Sequence, residues 1–145
     1  MGPMIKMSKL TEYAFMVIMA LKKSDRPASA DFLSSVTGLE TPTVSKILKQ
    51  LKKAGILVSK RGANGGYLLV KRKHEITLND VIVAMEGGMS LTDCADDDSA
   101  CHLTSSCYMS EGMKKVNQVI LAALQSVTVS DILDEKKKIT LQIKP

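Results

Sequence analysis

The chain has 145 residues, of which 45% are hydrophobic and only 3% are aromatic. At this length, a core made of Leu, Ile, Val, Met and Ala favours one mainly helical domain, with or without an added oligomerisation element, and disfavours a β-sandwich. The formal net charge of +5 is modest, but the basic residues are concentrated in the middle of the chain, which is typical of a protein with a polyanionic partner.

The first predicted helix covers residues 8–23, where apolar residues recur at helical spacing. These residues are Leu10, Ala14, Val17, Ile18 and Leu21. The apolar run resembles part of a signal peptide, but Glu12 stands at its head and a charged segment, residues 22–26, follows it. The run is also shorter than the roughly 20 residues that span a bilayer. We therefore expect a buried helix, no membrane partner and a cytoplasmic protein.

Two further helices are predicted in the layout of a helix-turn-helix. Ser29 is the expected N-cap of the second helix, which runs to Thr37 and ends at Gly38. The third helix is expected to have Thr41 as its N-cap and Gly55 at its end. Its apolar residues form one stripe, which we expect to be buried: Val44, Ile47, Leu48 and Leu51. Two such helices, the second with a basic exposed face, predict a DNA-binding motif.

The third helix is expected to read DNA. Residues 40–73 contain nine Lys or Arg and one acid, which favours contact with phosphate groups. Base contacts concentrate near the N-terminal end of such a helix. We expect them from Thr43, Ser45, Lys46 and Lys49. Nearer the other end of the helix, Lys52 and Lys53 are expected to hold phosphates.

Residues 56–59 and 67–70 are short apolar runs of the kind that form strands. The segment between them, KRGANGG, has three glycines, which allow a tight turn with positive φ. We interpret the pair as a β-hairpin wing that presents Lys60 and Arg61, with Arg61 directed to the minor groove of DNA. The alternative is an ordinary β-hairpin with a flexible tip.

Beyond the wing, Thr77 and Asp80 form an expected capping pair for a fourth helix that ends at Gly87. A fifth helix is predicted over residues 111–127. Its apolar seam is typical of a short coiled coil: Met113, Val116, Ile120, Ala123 and Leu124 or Val127. A long helix after a DNA-binding head favours a homodimer that reads two half-sites. Packing of the seam within its own chain is the alternative.

We therefore expect a mainly α fold, with a winged helix-turn-helix DNA-binding domain at residues 8–86 that carries a small β-hairpin wing. Residues 87–110, called here the cysteine loop, are expected to bind a cofactor. Residues 111–133 are expected to form a long C-terminal dimerisation helix and a short terminal helix. Residues 134–145 are expected to form a tail.

All three cysteines of the chain, Cys94, Cys101 and Cys107, lie in the cysteine loop. An odd number excludes complete disulfide pairing within one chain, which favours reduced thiols in the cytoplasm. Their spacing is too wide for a zinc finger, and it favours an iron–sulfur cluster wrapped by a flexible loop. Zinc or another metal, and plain or redox-active thiols, remain the alternatives. A cluster needs a fourth ligand, for which the candidates are His102, His74, Glu111, a distant carboxylate or a small molecule.

Three segments resemble one known family. They are residues 8–14 (SKLTEYA), the wing residues 61–67 (RGANGGY) with Leu69, and the three-cysteine loop before a long helix. Over about residues 7–133 the chain resembles the IscR-like, Rrf-type family of bacterial regulators, and it looks closest to the branch that controls the SUF iron–sulfur assembly system. The resemblance implies a homodimeric winged helix-turn-helix repressor that binds a double-stranded DNA operator. It also implies an iron–sulfur cluster, with 2Fe–2S favoured over 4Fe–4S.

Two positions bear on the fourth ligand of that cluster. In the IscR branch a histidine stands three residues after the third cysteine, where this chain has Ser110. Family members that sense nitric oxide use an acidic residue in the first helix of the partner subunit, and Glu12 stands at the matching position. The resemblance therefore implies the three cysteines with Glu12 as ligands, and His102 as the second choice for the fourth. An ordinary role for Glu12 is that of a first-turn acid favoured by the helix dipole.

The expected function is that of a transcriptional repressor of iron–sulfur cluster assembly genes, in which the state of the cluster controls operator binding. The alternatives are a nitric oxide or redox-sensing repressor of the same fold, a zinc-stabilised DNA-binding regulator, and a small electron carrier or cluster-transfer protein. The sequence has no nucleophile–base pair, no phosphate-binding glycine loop after a strand and no metal-hydrolase signature. We therefore do not expect an enzyme.

Overall fold

The structure of the chain is a computed structural model. It describes residues 2, 5–70, 75–96, 101–103 and 105–140. Part of the predicted basic segment, residues 71–73, lies outside the described residues, and so does His74, one of the candidates for a fourth ligand.

The described residues form helices and one small hairpin. In chain order the elements are α1 (Lys9–Lys23), α2 (Ala30–Thr37), α3 (Thr41–Lys53), β1 (Leu57–Lys60), β2 (Gly66–Leu69), α4 (Leu78–Glu86), α5 (Ser110–Ser126) and α6 (Val129–Leu133). A short 3-10 turn, Asp93–Ala95, lies between α4 and α5. This order agrees with the predicted winged helix-turn-helix, in which α2 and α3 form the motif and the two strands form the wing.

The hydrophobic core lies between the first four helices. The predicted stripe of α3 is confirmed, since its four apolar side chains are each 0% exposed: Val44, Ile47, Leu48 and Leu51. Val17 and Ile18 of α1, Leu33 of α2 and Val81 of α4 also belong to this core. The apolar run of α1 is thus accounted for by burial within the protein. Among the described residues, each helix is too short or too polar to span a bilayer.

Local sequence signals set most of the helix ends. The hydroxyl of Ser29 accepts a hydrogen bond from the Phe32 N–H at 3.1 Å, and Gly38 ends α2 in the left-handed conformation with φ 76°. Thr77 and Asp80 form a reciprocal capping box, with N–H to side-chain oxygen distances of 3.0 and 3.1 Å. These predicted boundaries are confirmed because each depends on contacts between residues that are close in sequence.

The predicted N-cap of α3 is wrong by one residue. The carbonyl of Glu40 accepts the N–H of Val44 at 3.0 Å, so the hydrogen-bonding pattern of the helix begins at Glu40. Thr41 is consequently the first helical residue, and the Glu40 side chain makes no capping hydrogen bond. At the other end Gly55 follows the C-cap with φ 74°, as expected of a glycine that terminates a helix.

The predicted wing is a two-stranded antiparallel hairpin. Its register runs from Leu57 opposite Leu69 to Lys60 opposite Gly66, which is one residue nearer to the tip than the sequence predicted. A short glycine-rich turn connects the two strands, and β1 begins only a few residues after the end of α3.

Helices α1–α4 and the core between them are called here the head. The wing is fixed to the head by a third segment of extended chain. Ala28, just before α2, donates its N–H to the Tyr67 carbonyl at 3.0 Å and accepts the Tyr67 N–H at 2.8 Å. Gly66, at φ 145°, lies so close that an added Cβ would approach the Ala28 carbonyl carbon to 2.6 Å. A side chain at residue 66 would therefore displace the wing from its seat.

After α5 the chain returns to the head through a second backbone bridge. Leu78 donates its N–H to the Val127 carbonyl at 2.9 Å, and Val129 donates its N–H to the Ile76 carbonyl at 2.8 Å. Val129 is only 1% exposed and belongs to the core of the head. The cysteine loop and α5 therefore form an excursion that leaves the end of α4 and returns beside its start.

The short helix α6 is held by a second capping box. Asp131 accepts the Thr128 N–H at 2.9 Å, and it also accepts a hydrogen bond from the Lys137 ammonium. Lys137, with Thr128, lowers the pKa of Asp131 from 3.8 to about 2. The stabilising effect of this carboxylate is therefore complete above its ordinary pKa of 3.8 and is lost as the pH falls towards 2.

Candidate functional site

The outer side of α3 carries the residues that were predicted to read DNA. Lys46, Lys49 and Lys53 are exposed, whereas Thr43 and Ser45 are half-buried. Because the apolar stripe of α3 is packed into the core, the opposite side is turned to solvent as a row of ammonium groups. Lys46 and Lys49 are thus the predicted base-reading residues with the most accessible side chains.

Lys52 connects the recognition helix to the wing. Its ammonium Nζ donates a hydrogen bond to Ser59 Oγ of β1 at 2.7 Å. The sequence predicted a phosphate contact for Lys52 and gave no signal for Ser59. Since an ammonium has three donor hydrogens, Lys52 can keep this bond while it contacts a phosphate. The bond also gives α3 a direct side-chain contact with the wing.

The tip of the wing presents two cations on a narrow turn. Lys60 and Arg61 are exposed, and the turn is closed by a hydrogen bond from the Gly65 N–H to the Gly62 carbonyl at 2.9 Å. A Cβ at Gly65 would lie 2.3 Å from the Lys60 carbonyl oxygen. This turn therefore requires glycine at residue 65, and its small residues leave the cations of the tip unobstructed.

The exposed cations of α3 and of the wing are linked by the contact between Lys52 and Ser59. We call these cations together the basic surface and define it by six exposed residues: Lys46, Lys49, Lys52, Lys53, Lys60 and Arg61. Phosphate oxygens accept hydrogen bonds from such groups, and their neutralisation releases counterions from nucleic acid. A helix flanked by a cationic hairpin matches the way in which winged helix-turn-helix proteins contact DNA.

The cysteine loop begins with an ordered segment around Cys94. Cys94 lies in the 3-10 turn Asp93–Ala95, and its Sγ is 3.2 Å from the Thr92 hydroxyl oxygen. Cys101 and Cys107 lie further along the loop, and all three cysteines are half-buried. Residues 97–100 and 104 of the loop lie outside the described residues.

A buried amide on α5 anchors the start of the cysteine loop. Asn117 is 6% exposed, and its Oδ1 accepts the Leu91 N–H at 3.3 Å. Asn117 occupies a position among the predicted seam residues of α5, where a polar side chain interrupts the apolar pattern. That interruption was the available sequence signal for this contact, which was not predicted.

The donor types of the loop fit an iron–sulfur cluster, because such clusters are held by cysteine thiolates. The positions of these donors, however, do not form a ready binding site. Within the described part of the chain, no three His, Cys, Asp or Glu side chains are grouped closely enough to hold a metal ion. The loop therefore has suitable ligands that a bound group would still have to draw together.

The described candidates for a fourth ligand are likewise not grouped with the cysteines. Glu12 lies in the first turn of α1 and forms an ion pair with Lys9, with 2.6 Å between Oε2 and Nζ. This contact raises the pKa of Lys9. His102 is exposed within the cysteine loop, and Glu111 is near Lys114 at 3.8 Å. Ser110, where the IscR branch has histidine, is buried at the start of α5.

A carboxylate that was not predicted to be functional joins α4 to α1. Glu86 Oε1 accepts the Ser8 N–H at 3.0 Å and the Thr11 hydroxyl at 2.6 Å. Thr11 is 0% exposed, so its hydroxyl has Glu86 and the Ser8 hydroxyl, 3.0 Å away, as partners in place of water. The hydrogen bond from Thr11, followed by that from Ser8, lowers the pKa of Glu86. The stabilisation is therefore present above the ordinary pKa of a glutamate and is lost as the pH falls through the lowered value.

Comparison with known proteins identifies the family. A family model described as Rrf2, an iron-dependent transcriptional regulator, matches residues 7–135. The chain belongs to the Rrf2 family. Members of the Rrf2 family are transcriptional regulators that bind DNA, which agrees with the basic surface on α3 and the wing and with the expectation that the protein is not an enzyme.

Solved structures similar to this Rrf2 protein have the same fold. A protein of Listeria innocua described as a transcriptional regulator gives a TM-score of 0.72 at 24% identity, over 100% of this chain and 97% of its own. CymR of B. subtilis, described as the global cysteine regulator, gives 0.64 at 24% identity, over 92% and 99%. IscR of T. potens gives 0.64 at 25% identity, over 94% and 93%. These similarities confirm the predicted winged-helix fold.

Replacing Asn117 by Leu should loosen the start of the cysteine loop, because the Leu91 N–H loses its buried acceptor. We expect a loss of about 1–3 kcal/mol in the free energy of unfolding and faster hydrogen exchange at the Leu91 amide, measured by NMR. Gln118→Leu is the matched control, since Gln118 is the neighbouring amide and is exposed. Equal exchange at Leu91 in both variants would remove Asn117 as the anchor.

Proposed function

We propose that this protein is a transcriptional repressor whose affinity for its DNA operator depends on an iron–sulfur cluster held by Cys94, Cys101 and Cys107. The observation that carries the proposal is the position of three half-buried thiols in one loop, on a chain whose recognition helix and wing carry the basic surface. The description of the family as iron-dependent and the similarity to IscR of T. potens support it.

The ligands in this proposal are three thiolates and one weaker donor. Glu12 from the second subunit is our first candidate for the fourth ligand and His102 is the second, with a 2Fe–2S cluster favoured over 4Fe–4S. For Glu12 to serve, its carboxylate must leave the ion pair with Lys9 or share it. When bound, the cluster supplies a redox-active centre that is sensitive to iron starvation, oxidants and nitric oxide.

The DNA-binding residues in this proposal divide into two groups. Thr43, Ser45, Lys46 and Lys49 contact bases in the major groove. Lys52, Lys53 and Lys60 hold phosphates, while Arg61 reaches the minor groove from the wing. The exposure of Lys46 and Lys49 and the bond that joins Lys52 to Ser59 support this division, because they place the helix and the wing on one cationic surface.

We propose that α5 forms the interface of a homodimer. Gly112, Val116, Val119 and Ala123 follow each other at steps of four and three residues, the spacing of a helix–helix seam. Val116 is 45% exposed and Val119 is 51% exposed. By contrast, Val127 of the predicted seam is buried within its own chain. The proposed interface therefore differs from the predicted seam: it keeps Val116 and Ala123 and adds Gly112 and Val119, whereas Met113, Ile120 and Leu124 are half-buried within the chain.

Ligation of the thiols is coupled to DNA binding through the loop. When the three cysteines are ligated, the cysteine loop has one conformation beside α5, and a ligand from the second subunit would join the loop of one subunit to the head of the other. Loss of these bonds releases the loop and lets the two heads depart from the operator spacing. A preference of a few kcal/mol is sufficient to switch occupancy. The promoters that suit this control are those of cluster-assembly genes, including the SUF system.

A thiol or redox sensor of the same fold is the second candidate. The observation in its favour is that the described donors are not grouped around one point. CymR, named a global cysteine regulator, shares the fold, and its identity of 24% supports the fold alone. A zinc-stabilised regulator is the third candidate. All three would act in the cytoplasm, where thiols are kept reduced.

Replacing Cys94, Cys101 or Cys107 by Ala should remove iron and acid-labile sulfide from protein purified without oxygen. Because the loop then lacks a complete ligand set, affinity for the operator should fall about tenfold or more, within the usual range of allosteric coupling. Iron and sulfide analysis with absorption spectroscopy, followed by binding to the operator, measures both effects.

Ser105→Ala, in the same loop, is the matched control and should leave both the cofactor and the affinity unchanged. Alanine variants that bind the operator as tightly as the cluster-loaded wild type would defeat the proposed coupling. Colourless wild-type protein with bound zinc would select the zinc-stabilised regulator.

Replacing a residue that contacts phosphate and replacing one that contacts bases should affect DNA binding differently. Lys52→Ala should weaken binding to all sequences alike and reduce the slope of log affinity against log salt by about one unit. Lys46→Ala should cost about 1–3 kcal/mol on the operator and change the base preference. Fluorescence anisotropy on operator and random DNA at several salt concentrations measures both.

Ser59→Ala separates the two roles of Lys52, since it removes the contact with the wing and keeps the charge. It should leave the salt slope unchanged. If Lys46→Ala and Lys52→Ala had equal effects on operator and random DNA, the division of contacts would be wrong.

Val119→Glu should weaken the proposed dimer, because each subunit would bring an unpaired carboxylate into an apolar interface. We expect a shift from dimer to monomer in sedimentation analysis at micromolar concentration, and a weaker affinity for an operator with two half-sites. Gln118→Glu introduces the same charge at the adjacent exposed residue and should remain dimeric. A wild-type protein that sediments as a monomer would contradict the proposed interface.

A further inference from the structure

We propose that Glu86 is a positioning residue that links the start of the cysteine loop to the first turn of α1. This inference rests on the proposed function, because it names the contact through which the loop acts on the DNA-binding head. Three residues make up the link, Ser8, Thr11 and Glu86, and we call them the clasp.

The two donors of the clasp converge on one oxygen atom. Glu86 Oε1 accepts the Ser8 N–H at 3.0 Å and the Thr11 hydroxyl at 2.6 Å. A carboxylate forms stronger hydrogen bonds than a neutral acceptor. If Glu86 moved away, the hydroxyl of Thr11, which is 0% exposed, would lose its charged acceptor and keep only the neutral Ser8 hydroxyl within reach, and this loss favours the closed arrangement.

The same residues also begin α1. Ser8 is the N-cap, and its hydroxyl accepts the Thr11 N–H at 3.2 Å. The Ser8 and Thr11 hydroxyl oxygens are 3.0 Å apart. A displacement of Glu86 therefore acts on the cap and the first turn together, and the next residue in that turn is Glu12, our first candidate for the fourth cluster ligand.

At the other side of the clasp the chain leaves the head. Glu86 is the last residue of α4, and Gly87 and Gly88 follow with φ values of 84° and 146°. The chain then reaches Leu91, whose N–H is held by Asn117 of α5. Between the anchored residue 91 and the clasp there are only four residues, so a shift of the loop at Leu91 pulls directly on the end of α4.

The far end of α1 is held separately. Lys22 forms an ion pair with Glu75 at 2.6 Å, and Val17 and Ile18 are 0% exposed in the core. A movement that enters through Glu86 is thus concentrated in the N-terminal turn of α1, while the middle of the helix and the packing of α3 stay in place. The clasp can transmit the state of the loop without unfolding the head.

The test is a double-mutant cycle read by hydrogen exchange at the Ser8 amide, which does not require the cluster. Asn117→Leu frees the loop at Leu91. With Glu86 present, it should speed exchange at Ser8 by about fivefold or more. In a Glu86→Ala background, where exchange at Ser8 is already fast, Asn117→Leu should add nothing. No effect of Asn117→Leu on Ser8 with Glu86 present would overturn the inference.

Conservative variants separate positioning from a purely structural role. Thr11→Val keeps the shape of the buried side chain and removes its donor, whereas Thr11→Ser keeps the donor. Thr11→Val should reduce the ratio of operator affinities of cluster-loaded and cluster-free protein about tenfold, and Thr11→Ser should retain most of that ratio. A lower melting temperature of Thr11→Val with an unchanged ratio would mean that the clasp is merely structural.

The charge of Glu86 has its own control. Glu135→Gln removes one negative charge at an exposed residue of the tail and should leave the ratio of affinities and the Ser8 exchange unchanged, whereas Glu86→Ala should lower the ratio. Failure of the proposed function can be told apart from failure of the clasp. If the proposed function were wrong, the cysteine variants would bind the operator as tightly as the wild type. Failure of the clasp leaves the cysteine effect intact and removes only the effects at Ser8 and Thr11.

Discussion

The packing of α3 into the core determines what this protein can present to DNA. Val44, Ile47, Leu48 and Leu51 are fully buried, and each such side chain stabilises the fold by about 1.5–3 kcal/mol. A helix that buries one stripe must expose the opposite one, so the lysines of α3 are directed outward by apolar contacts on the other side. The wing then extends this surface, since the Ala28–Tyr67 backbone bridge seats it on the helices and Lys52 contacts it from α3.

The head, the loop and the long helix are connected at a small number of defined places. The loop leaves at Glu86, and the chain returns through the backbone bridge between residues 76–78 and 127–129. One of these attachments is built of backbone hydrogen bonds and core packing, and the other of a single carboxylate oxygen with two donors. The second attachment lies where the cysteine loop begins.

The sequence predicted the features that depend on neighbouring residues. Caps such as Ser29, the Thr77–Asp80 box and the apolar stripe of α3 follow from local spacing, and the comparisons confirm the winged-helix fold. The contact from Thr11 to Glu86 joins residues 75 positions apart, and the one from Leu91 to Asn117 joins residues 26 apart. Patterns within one helix cannot specify such pairs. A threonine on the buried side of α1 and an asparagine in the seam of α5 were their only local signs. The ligand set of the cysteine loop stays a prediction, because the described donors are not drawn together.

The seat of the wing has a consequence for how operator preference could change in this scaffold. Gly66 lies against the Ala28 backbone, with no room for a Cβ, and Tyr67 exchanges two hydrogen bonds with Ala28. The position and tilt of the hairpin relative to α3 are consequently fixed at its base. New sequence preferences would have to arise by exchanging side chains on α3 or at the tip. Re-aiming the hairpin itself would require a different residue pair at its base.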